Sequence, residues 1–325
     1  KHGVNFVTQT DTETIAHLIN YYYENDPIEA IRNACEKIRG SYALAIMFYD
    51  YKDTLFATRK DSPLIIGRGK NENYIASDIP AILSKTKNYY LLDENEICVL
   101  KKDSLTFLNI YNEPVKKEML VASWNVEAAE KGGFAHFMLK EIYEQPKAIR
   151  NTVGPRIANG IEKLFEDELK DIKDIGSIYI VACGSAMHAG LLGQFAIEKY
   201  ARIKVTVEIA SEFRYKNPIL KNNDIVILIS QSGETADSIA AMRLAKSQGI
   251  KTIAIVNVVG STISREADVV LYTWAGPEIA VATTKAYTAQ VCVCYLLALY
   301  LAYHNKNMSL NECKKVLEEF ELLPN

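Results

Sequence analysis

The chain has 325 residues, which is enough for two domains with separate hydrophobic cores. It carries 37 Lys and Arg against 40 Asp and Glu, a formal net charge of −3, and shows no basic run. This balance argues against a protein that binds nucleic acid or the surface of an anionic membrane. The six cysteines form no CxxC pair and no zinc-ligand spacing, so we expect reduced thiols, a cytoplasmic location, no metal and no cofactor.

Two amphipathic helices and a β-rich segment are predicted for the first third of the chain. Thr10 and Glu13 have the spacing of a capping box in front of an apolar helical repeat. Asp26, which stands before a proline, predicts the start of a second helix. Between about residues 40 and 110, short β-rich runs separated by turn residues predict an antiparallel meander with both helices on one face. The charged segment 112–132 loses this rhythm and is predicted to be a linker.

After a first domain at 1–111, residues 133–325 are predicted to form a domain of a different kind. Two helices lead into strands and helices that alternate strictly, and several strands are continuous runs of Val, Ile and Leu. Such runs are typical of parallel strands covered on both faces, so we expect a doubly wound α/β domain. The most apolar run, 291–303, is too short to span a bilayer and is expected to be a buried helix with buried thiols. Strands are predicted at 177–183, 204–210, 224–230, 251–258 and 268–273, and helices at 186–200, 236–248 and 284–303.

Two strand-to-helix loops have the composition that a bound phosphate requires. The first strand runs into Gly184-Ser185-Ala186, and the third runs into Ser-Gln-Ser-Gly-Glu-Thr at 230–235. Open parallel sheets bind ligands beyond the carboxyl ends of their strands, where Gly233 would allow a tight turn and helix N-termini attract anions. An ordinary turn capped by Thr235 is the alternative. The matching pair of loops favours a site for the phosphate of a small ligand.

Nucleotide sites are disfavoured at these loops, and two neighbouring features are ambiguous. The loops contain neither the GxGxxG fingerprint of a dinucleotide site nor the Walker lysine of a nucleoside triphosphate site. The loop Thr283-Thr284-Lys285 opens the last helix, and it either completes the pocket or caps the helix with a solvated lysine. His188, one turn into the helix behind the first loop, either approaches the ligand or hydrogen-bonds its neighbours.

A set of longer motifs is more specific than any single loop. In chain order they are TDTE (10–13), RGSY (39–42), IASD (75–78), KEIYEQP (140–146), CGSAMHAG (183–190), ASEFRY (210–215), SQSGETAD (230–237) and VATTKAYT (281–288). Together they resemble the glutamine–fructose-6-phosphate aminotransferase family, also called the glucosamine-6-phosphate synthases. The resemblance implies the later part of an α+β N-terminal-nucleophile glutaminase domain, followed by a doubly wound SIS (sugar isomerase) domain.

The resemblance also implies substrates, an assembly and a set of binding residues. The family moves ammonia from glutamine to fructose 6-phosphate and forms glucosamine 6-phosphate; SIS domains commonly pair, so a homodimer is expected. Asp11 matches the aspartate that binds the amino group of glutamine. A non-catalytic phosphosugar-sensing SIS module is the alternative, which the lack of a basic recognition helix disfavours. The residues expected to bind the phosphosugar are Ser185, Ser230, Gln231, Ser232, Thr235, Val281 and Thr283.

Three departures limit what the resemblance implies. Ala186 stands where the family usually has serine, so one hydrogen bond is expected to be lost, worth about 0.5–1.5 kcal/mol net and more if its partner is charged. The chain begins with Lys1 instead of the family's nucleophilic cysteine. It also stops before the second SIS domain and the tail, which supply the family's isomerase base, ring-opening histidine and Schiff-base lysine. We therefore expect no catalytic residue in this portion and no turnover by it alone.

Overall fold

The computed structural model describes residues 4–122 and 131–325. These residues fall into two compact units, one within residues 1–123 and the other within residues 124–325. Each unit has its own buried apolar clusters, as expected for a chain long enough to form two cores. Within the described residues, no group of three or more His, Cys, Asp or Glu side chains is arranged to hold a metal ion.

The first unit contains two four-stranded antiparallel sheets. Its strands are β1 (Tyr42–Ile46), β2 (Thr54–Lys60), β3 (Ile65–Arg68), β4 (Asn73–Ala76), β5 (Asn88–Leu91), β6 (Ile97–Lys101), β7 (Leu105–Leu108) and β8 (Leu120–Val121). The sheet orders are β1-β2-β6-β7 and β4-β3-β5-β8. The prediction of a single meander was wrong, because the chain leaves the first sheet after β2 and returns to it with β6. β8 lies inside the segment 112–132, where a linker was predicted, and pairs with β5.

Two helices, α1 (Asp11–Tyr22) and α2 (Pro27–Cys35), share an apolar cluster with β2 and β6, so they cover one face of that sheet as predicted. The start of α2 is confirmed, because the Asp26 carboxylate accepts hydrogen bonds from two backbone N–H groups of its first turn, at 2.9 and 3.2 Å. α1 starts where predicted but without the capping box. Thr10 makes no side-chain cap, and the Glu13 carboxylate instead accepts hydrogen bonds from the chain preceding the helix.

The second unit is built on a five-stranded parallel sheet. Its strands are β9 (Ser177–Ala182), β10 (Lys204–Ile209), β11 (Ile225–Ser230), β12 (Lys251–Val256) and β13 (Val269–Tyr272). They lie in the order β10-β9-β11-β12-β13, and every neighbouring pair is parallel. The chain runs outward from β9 to β10 and then crosses to β11 on the other side of β9. The topological switch point of the sheet therefore lies between β9 and β11.

Helices cover both faces of this sheet, which confirms the predicted doubly wound arrangement. They are α3 (Phe137–Tyr143), α4 (Gln145–Ile157), α5 (Glu166–Leu169), α6 (Gly184–Ala196), α7 (Ala210–Tyr215), α8 (Ala236–Ser247), α9 (Thr262–Glu266), α10 (Lys285–His304) and α11 (Leu310–Leu322). Successive side chains of β11 point to opposite faces. Ile227 and Ile229 lie in one cluster with α4, α6, α10 and α11, whereas Val226 and Leu228 lie in another with α7, α8 and α9.

α10 is the buried helix that the sequence predicts. By length and composition it could cross a membrane, but most of it is buried inside the second unit. Cys292 and Cys294 on this helix are buried free thiols, as predicted. Burial raises the pKa of Cys292 to about 11 and that of Cys294 to about 12. Both thiols therefore stay protonated and unreactive near neutral pH.

Candidate functional site

A cavity of about 210 Å³ lies at the carboxyl ends of β9 and β11, beside the topological switch point. Open parallel sheets bind their ligands at this place. Most of the lining belongs to three chain segments, which are the end of β9 with its loop, the end of β11 with its loop and the segment that leads into α10; one further residue lies on α10 itself. All seven residues that the sequence assigns to phosphosugar binding lie along it. The lining residues are Cys183, Ser185, Ala186, Ile229, Ser230, Gln231, Ser232, Thr235, Val281, Thr283 and Gln290.

The loop after β11 is held in shape by its own hydroxyl groups. Ser230 is buried; its Oγ lies 3.1 Å from Oγ1 of Thr235 and accepts a hydrogen bond from the N–H of Gly233 at 3.0 Å. The N–H of Glu234 donates to Oγ of Ser232 at 3.2 Å. The loop is therefore preorganised. Binding a ligand then costs less free energy, because the loop loses little conformational entropy when the ligand binds.

Gly233 and Glu234 attach this loop to α9. Gly233 has a φ of +68°, and a Cβ atom at this position would lie 2.1 Å from Oγ of Ser261. Its carbonyl oxygen accepts a hydrogen bond from the N–H of Ile263 at 3.0 Å. The Glu234 carboxylate accepts hydrogen bonds from the N–H of Thr262 at 2.7 Å and from its hydroxyl at 2.9 Å. The negative charge of Glu234 is therefore bound at the first turn of α9 and does not line the cavity.

Two helices begin at the cavity. α6 starts at Gly184, so Ser185 and Ala186 lie in its first turn, and α8 starts directly after Thr235. Neither N-cap residue, Cys183 for α6 or Thr235 for α8, caps its helix with a side-chain hydrogen bond. The first backbone N–H groups of a helix have no intrahelical acceptor and carry the positive end of the helix dipole. These two helix starts can therefore donate hydrogen bonds to an anion in the cavity.

The third wall of the cavity, residues 278–284, is shaped by one carboxylate. Oε1 of Glu278 accepts hydrogen bonds from the N–H groups of Thr284 at 2.8 Å and Ala286 at 3.2 Å. Its Oε2 accepts a hydrogen bond from the hydroxyl of Thr283 at 2.7 Å. Glu278 thus satisfies donors at the start of α10 and fixes Thr283 at the cavity. Val281, on the same segment, is fully exposed.

The 140–146 segment, which the sequence predicts as the end of a helix and which also carries the resemblance, supports this wall from behind. Oε1 of the buried Glu141 accepts hydrogen bonds from the N–H groups of Ile279 at 2.7 Å and Ala280 at 3.1 Å. Oε1 of Gln145 accepts a hydrogen bond from the hydroxyl of Thr288 at 2.6 Å. The segment therefore binds the chain both before and after the cavity-lining part of the wall, which limits how far the wall can move.

Two residues that the sequence left ambiguous are resolved by the structure. Lys285 is only 3% exposed and does not line the cavity; its Nζ lies 2.6 Å from Oε2 of Glu144. Lys285 therefore takes neither predicted role, because it pairs with a residue 141 positions earlier in the chain, whereas Thr283 of the same loop does line the cavity. His188 takes the second of its two predicted roles, which is to hydrogen-bond a neighbouring residue. Its Nδ1 lies 3.1 Å from the carbonyl oxygen of Gly184, and the residue does not line the cavity.

Asp11, the residue predicted to bind glutamine, lies in the first unit as the first residue of α1. Its side chain is exposed, and Oδ1 lies 3.5 Å from the hydroxyl of Thr12. The cavity lining described above comes wholly from the second unit, so the structure does not bring Asp11 to it. Its role in glutamine binding stays a prediction.

One polar residue at the cavity was not predicted. Gln290 lies on α10, is 1% exposed and lines the cavity, and its Oε1 has no hydrogen-bond partner in the part of the chain that the structure describes. In the sequence it stands directly before the most apolar run of the helix. A buried polar side chain normally has a hydrogen-bond partner. An amide directly before a run of apolar residues was therefore the sequence signal that could have identified Gln290 as a candidate site residue.

Comparisons with known proteins agree with this architecture. A family model of the SIS domain matches residues 171–300, and a model of the glutamine amidotransferase domain matches residues 1–84. One solved structure with this fold is the C-terminal domain of glucosamine-fructose-6-phosphate aminotransferase from Francisella tularensis. It is 38% identical with a TM-score of 0.56, and the match covers 60% of this chain and 55% of that chain.

Curated relatives match the chain from end to end. The glutamine–fructose-6-phosphate aminotransferase (isomerizing) of Caldanaerobacter subterraneus is 51% identical over 327 residues, and the match covers 100% of this chain and 54% of the relative. That of Clostridium tetani is 52% identical over 325 residues, covering 99% and 54%. The chain thus spans about half the length of these relatives. It matches models of the glutamine amidotransferase and SIS domains and is similar over its whole length to the glutamine–fructose-6-phosphate aminotransferases.

Proposed function

We propose that the second unit binds a phosphorylated sugar, fructose 6-phosphate or glucosamine 6-phosphate. In this proposal the chain is part of an enzyme that converts fructose 6-phosphate and glutamine to glucosamine 6-phosphate and glutamate. One observation carries the proposal: the hydroxyls of Ser185, Ser232 and Thr235 meet two helix N-termini at one cavity. The names of the relatives support the choice of ligand, because they specify glutamine and fructose 6-phosphate.

The phosphate is held by neutral donors. Among the described residues that line the cavity, none is Lys or Arg. The serine and threonine hydroxyls and the first-turn N–H groups of α6 and α8 therefore supply the hydrogen bonds. Each hydrogen bond to a charged group is worth roughly 1.5–3 kcal/mol, so several of them suffice for specific binding. The sugar extends from the phosphate toward Gln231, Val281 and Thr283.

In the complete enzyme, the first unit contributes to the glutamine site. The carboxylate of Asp11 binds the amino group of glutamine, and its exposure leaves it accessible for this contact. The enzyme acts in the cytoplasm, a location that fits six free thiols. It acts as a homodimer, and the support for this assembly is exposed apolar surface on α6 at Leu191, Leu192 and Phe195.

A phosphosugar-sensing module without catalysis would use the same cavity. The match of residues 1–84 to a glutamine amidotransferase domain favours the enzyme, because a sensor needs no glutamine site. The full-length relatives are aminotransferases, which points in the same direction.

Calorimetric titration of the chain tests the proposed ligand. Fructose 6-phosphate should bind saturably and more tightly than either fructose or inorganic phosphate. Ser232→Ala and Thr235→Ala should each weaken binding about 10- to 100-fold, because each removes a hydrogen bond to the charged phosphate. Ser211→Ala, in α7 outside the cavity, is the matched control and should leave the affinity unchanged. Equal affinity for the three ligands, or wild-type affinity in both cavity variants, would contradict the placement of the site.

A further inference from the structure

Gln290 is a buried residue whose side-chain oxygen finds no hydrogen-bond partner within residues 4–122 and 131–325. Its side chain is 1% exposed, and its Oε1 lacks a hydrogen-bond partner among the described residues. Leaving a buried acceptor unpaired costs roughly 1–3 kcal/mol. A core position on α10 would be more stable with an apolar side chain, as at Val293 and Leu297 farther along the helix. Packing alone therefore does not account for an amide at this position.

The position of Gln290 separates it from other unpaired groups in the second unit. Buried side-chain atoms without a described partner also occur in Glu141, Arg156, Ser238, Ser261 and Thr284. None of these residues lines the cavity, whereas Gln290 does, beside Cys183 and Ile229 at the strand ends. The carboxamide-bearing residue Gln290 therefore forms part of the cavity wall.

The chemistry of the unpaired atom indicates which part of a ligand it meets. A carboxamide oxygen accepts hydrogen bonds and cannot donate them. A phosphate dianion carries no proton to donate, whereas a sugar hydroxyl does. The phosphate donors of the cavity are on the loops after β9 and β11, and Gln290 approaches from a different element, α10. Its partner is therefore a hydroxyl group of the ligand and not the phosphate.

We propose that Gln290 is a specificity-determining binding residue whose carboxamide oxygen accepts a hydrogen bond from a hydroxyl of the phosphorylated sugar. This inference rests on the proposed function, because it assumes that the cavity holds a sugar phosphate. The unpaired acceptor destabilises the empty site, and the ligand relieves that cost when it binds. The residue thus lowers the stability of the free protein and increases the affinity for ligands that carry the hydroxyl.

Gln290→Leu tests the inference through affinity and stability together. Its affinity for fructose 6-phosphate should fall roughly 3- to 10-fold, the effect of losing one neutral hydrogen bond. Its affinity for inorganic phosphate should stay at the wild-type value, since phosphate occupies only the loops. Its melting temperature without ligand should equal or exceed that of the wild type, because an unpaired buried acceptor has been removed. A purely structural glutamine would show the opposite, a lower melting temperature.

Two further variants keep the result interpretable. Ser238→Ala removes an unpaired buried hydroxyl on α8 outside the cavity, so it should leave both affinities unchanged. If Gln290→Leu does not fold, Gln290→Asn withdraws the amide by one methylene group and should give the same pattern of affinities.

The possible failures can be told apart. A wild-type chain that does not bind fructose 6-phosphate overturns the proposed function and leaves no basis for the inference. A wild-type chain that binds fructose 6-phosphate, with Gln290→Leu or Gln290→Asn binding it equally well, overturns the inference alone. Equal losses for fructose 6-phosphate and for inorganic phosphate also overturn it, since they would show damage to the phosphate loops.

Discussion

At the scale of single residues, Ala186 limits how many hydrogen bonds the cavity can offer a phosphate. It lies in the first turn of α6 and lines the cavity, but it carries no hydroxyl. The family that the sequence resembles usually has a serine at this position. Its neighbour Ser185 supplies the only side-chain hydroxyl of that turn among the described residues at the cavity. A serine at 186 would stand beside the uncapped N-terminus of the helix.

Ala186→Ser is therefore expected to increase the affinity for fructose 6-phosphate about 10- to 100-fold, through one added hydrogen bond to the charged phosphate. Calorimetric titration measures the change. Ala158→Ser, at an exposed position outside the cavity, is the control for the general effect of an added hydroxyl. An affinity that stays the same in Ala186→Ser would mean that this turn does not contact the phosphate.

Gly233 and Lys285 show what single residues reveal before a fold is known. The need for glycine at 233 could be predicted from its place in a tight turn, and the positive φ confirms it. The second reason, contact with Ser261 on α9, could not be predicted because it depends on how two distant segments pack. The environment of Lys285 could not be predicted for the same reason, because its ion-pair partner Glu144 is distant in sequence.

At the scale of elements, the 140–146 segment acts as a brace for the wall that precedes α10. Its main contact is a buried carboxylate, Glu141, which binds two consecutive backbone N–H groups of the wall. Hydrogen bonds to a charged acceptor are stronger than those to a neutral one. The wall includes Val281 and Thr283, so the brace positions two residues that line the cavity although Glu141 does not line it.

Glu141→Ala is expected to lower the free energy of unfolding by roughly 2–4 kcal/mol, because it leaves two N–H groups unpaired. It should also weaken fructose 6-phosphate binding, since the wall loses its support. Glu141→Gln keeps one acceptor oxygen and should recover much of both losses. Chemical denaturation and calorimetric titration measure the two effects, with the exposed Glu162→Ala as control. Full stability in Glu141→Ala would show that the brace is unimportant.

Most elements that the sequence predicted have a long and regular pattern, although α11, a helix of 13 residues, was not predicted. Residues 225–229 of β11 and 253–256 of β12 are continuous runs of Val, Ile, Leu and Ala, so their burial on both faces could be predicted. α7, α9 and β8 were missed, since six, five and two residues are too few to show a period. The role of Glu141 was out of reach, because its partners lie 138 and 139 residues farther along the chain.

At the scale of the whole molecule, the cavity owes its place to the topology of the second unit. The crossing of the chain between β10 and β11 places the loops after β9 and β11 next to each other. The loop before α10 joins them because that helix packs on the same apolar cluster as β9 and β11. Three segments that are distant in sequence thus meet at one edge, and the 140–146 segment is tied to the third of them.

Ligand binding should therefore slow backbone hydrogen exchange in a defined set of segments. With fructose 6-phosphate at about 100 times its dissociation constant, the bound state gains roughly 2.7 kcal/mol over states that cannot bind. Mass spectrometry should show slower exchange at 183–186, 230–235, 279–288 and, through Glu141, at 140–146. β2 and β6 of the first unit serve as the internal reference, because they contribute no residue to the cavity. Protection of the cavity loops with no change at 140–146 would mean that the brace does not respond to the ligand, whereas equal protection of β2 and β6 would show that the two units respond together.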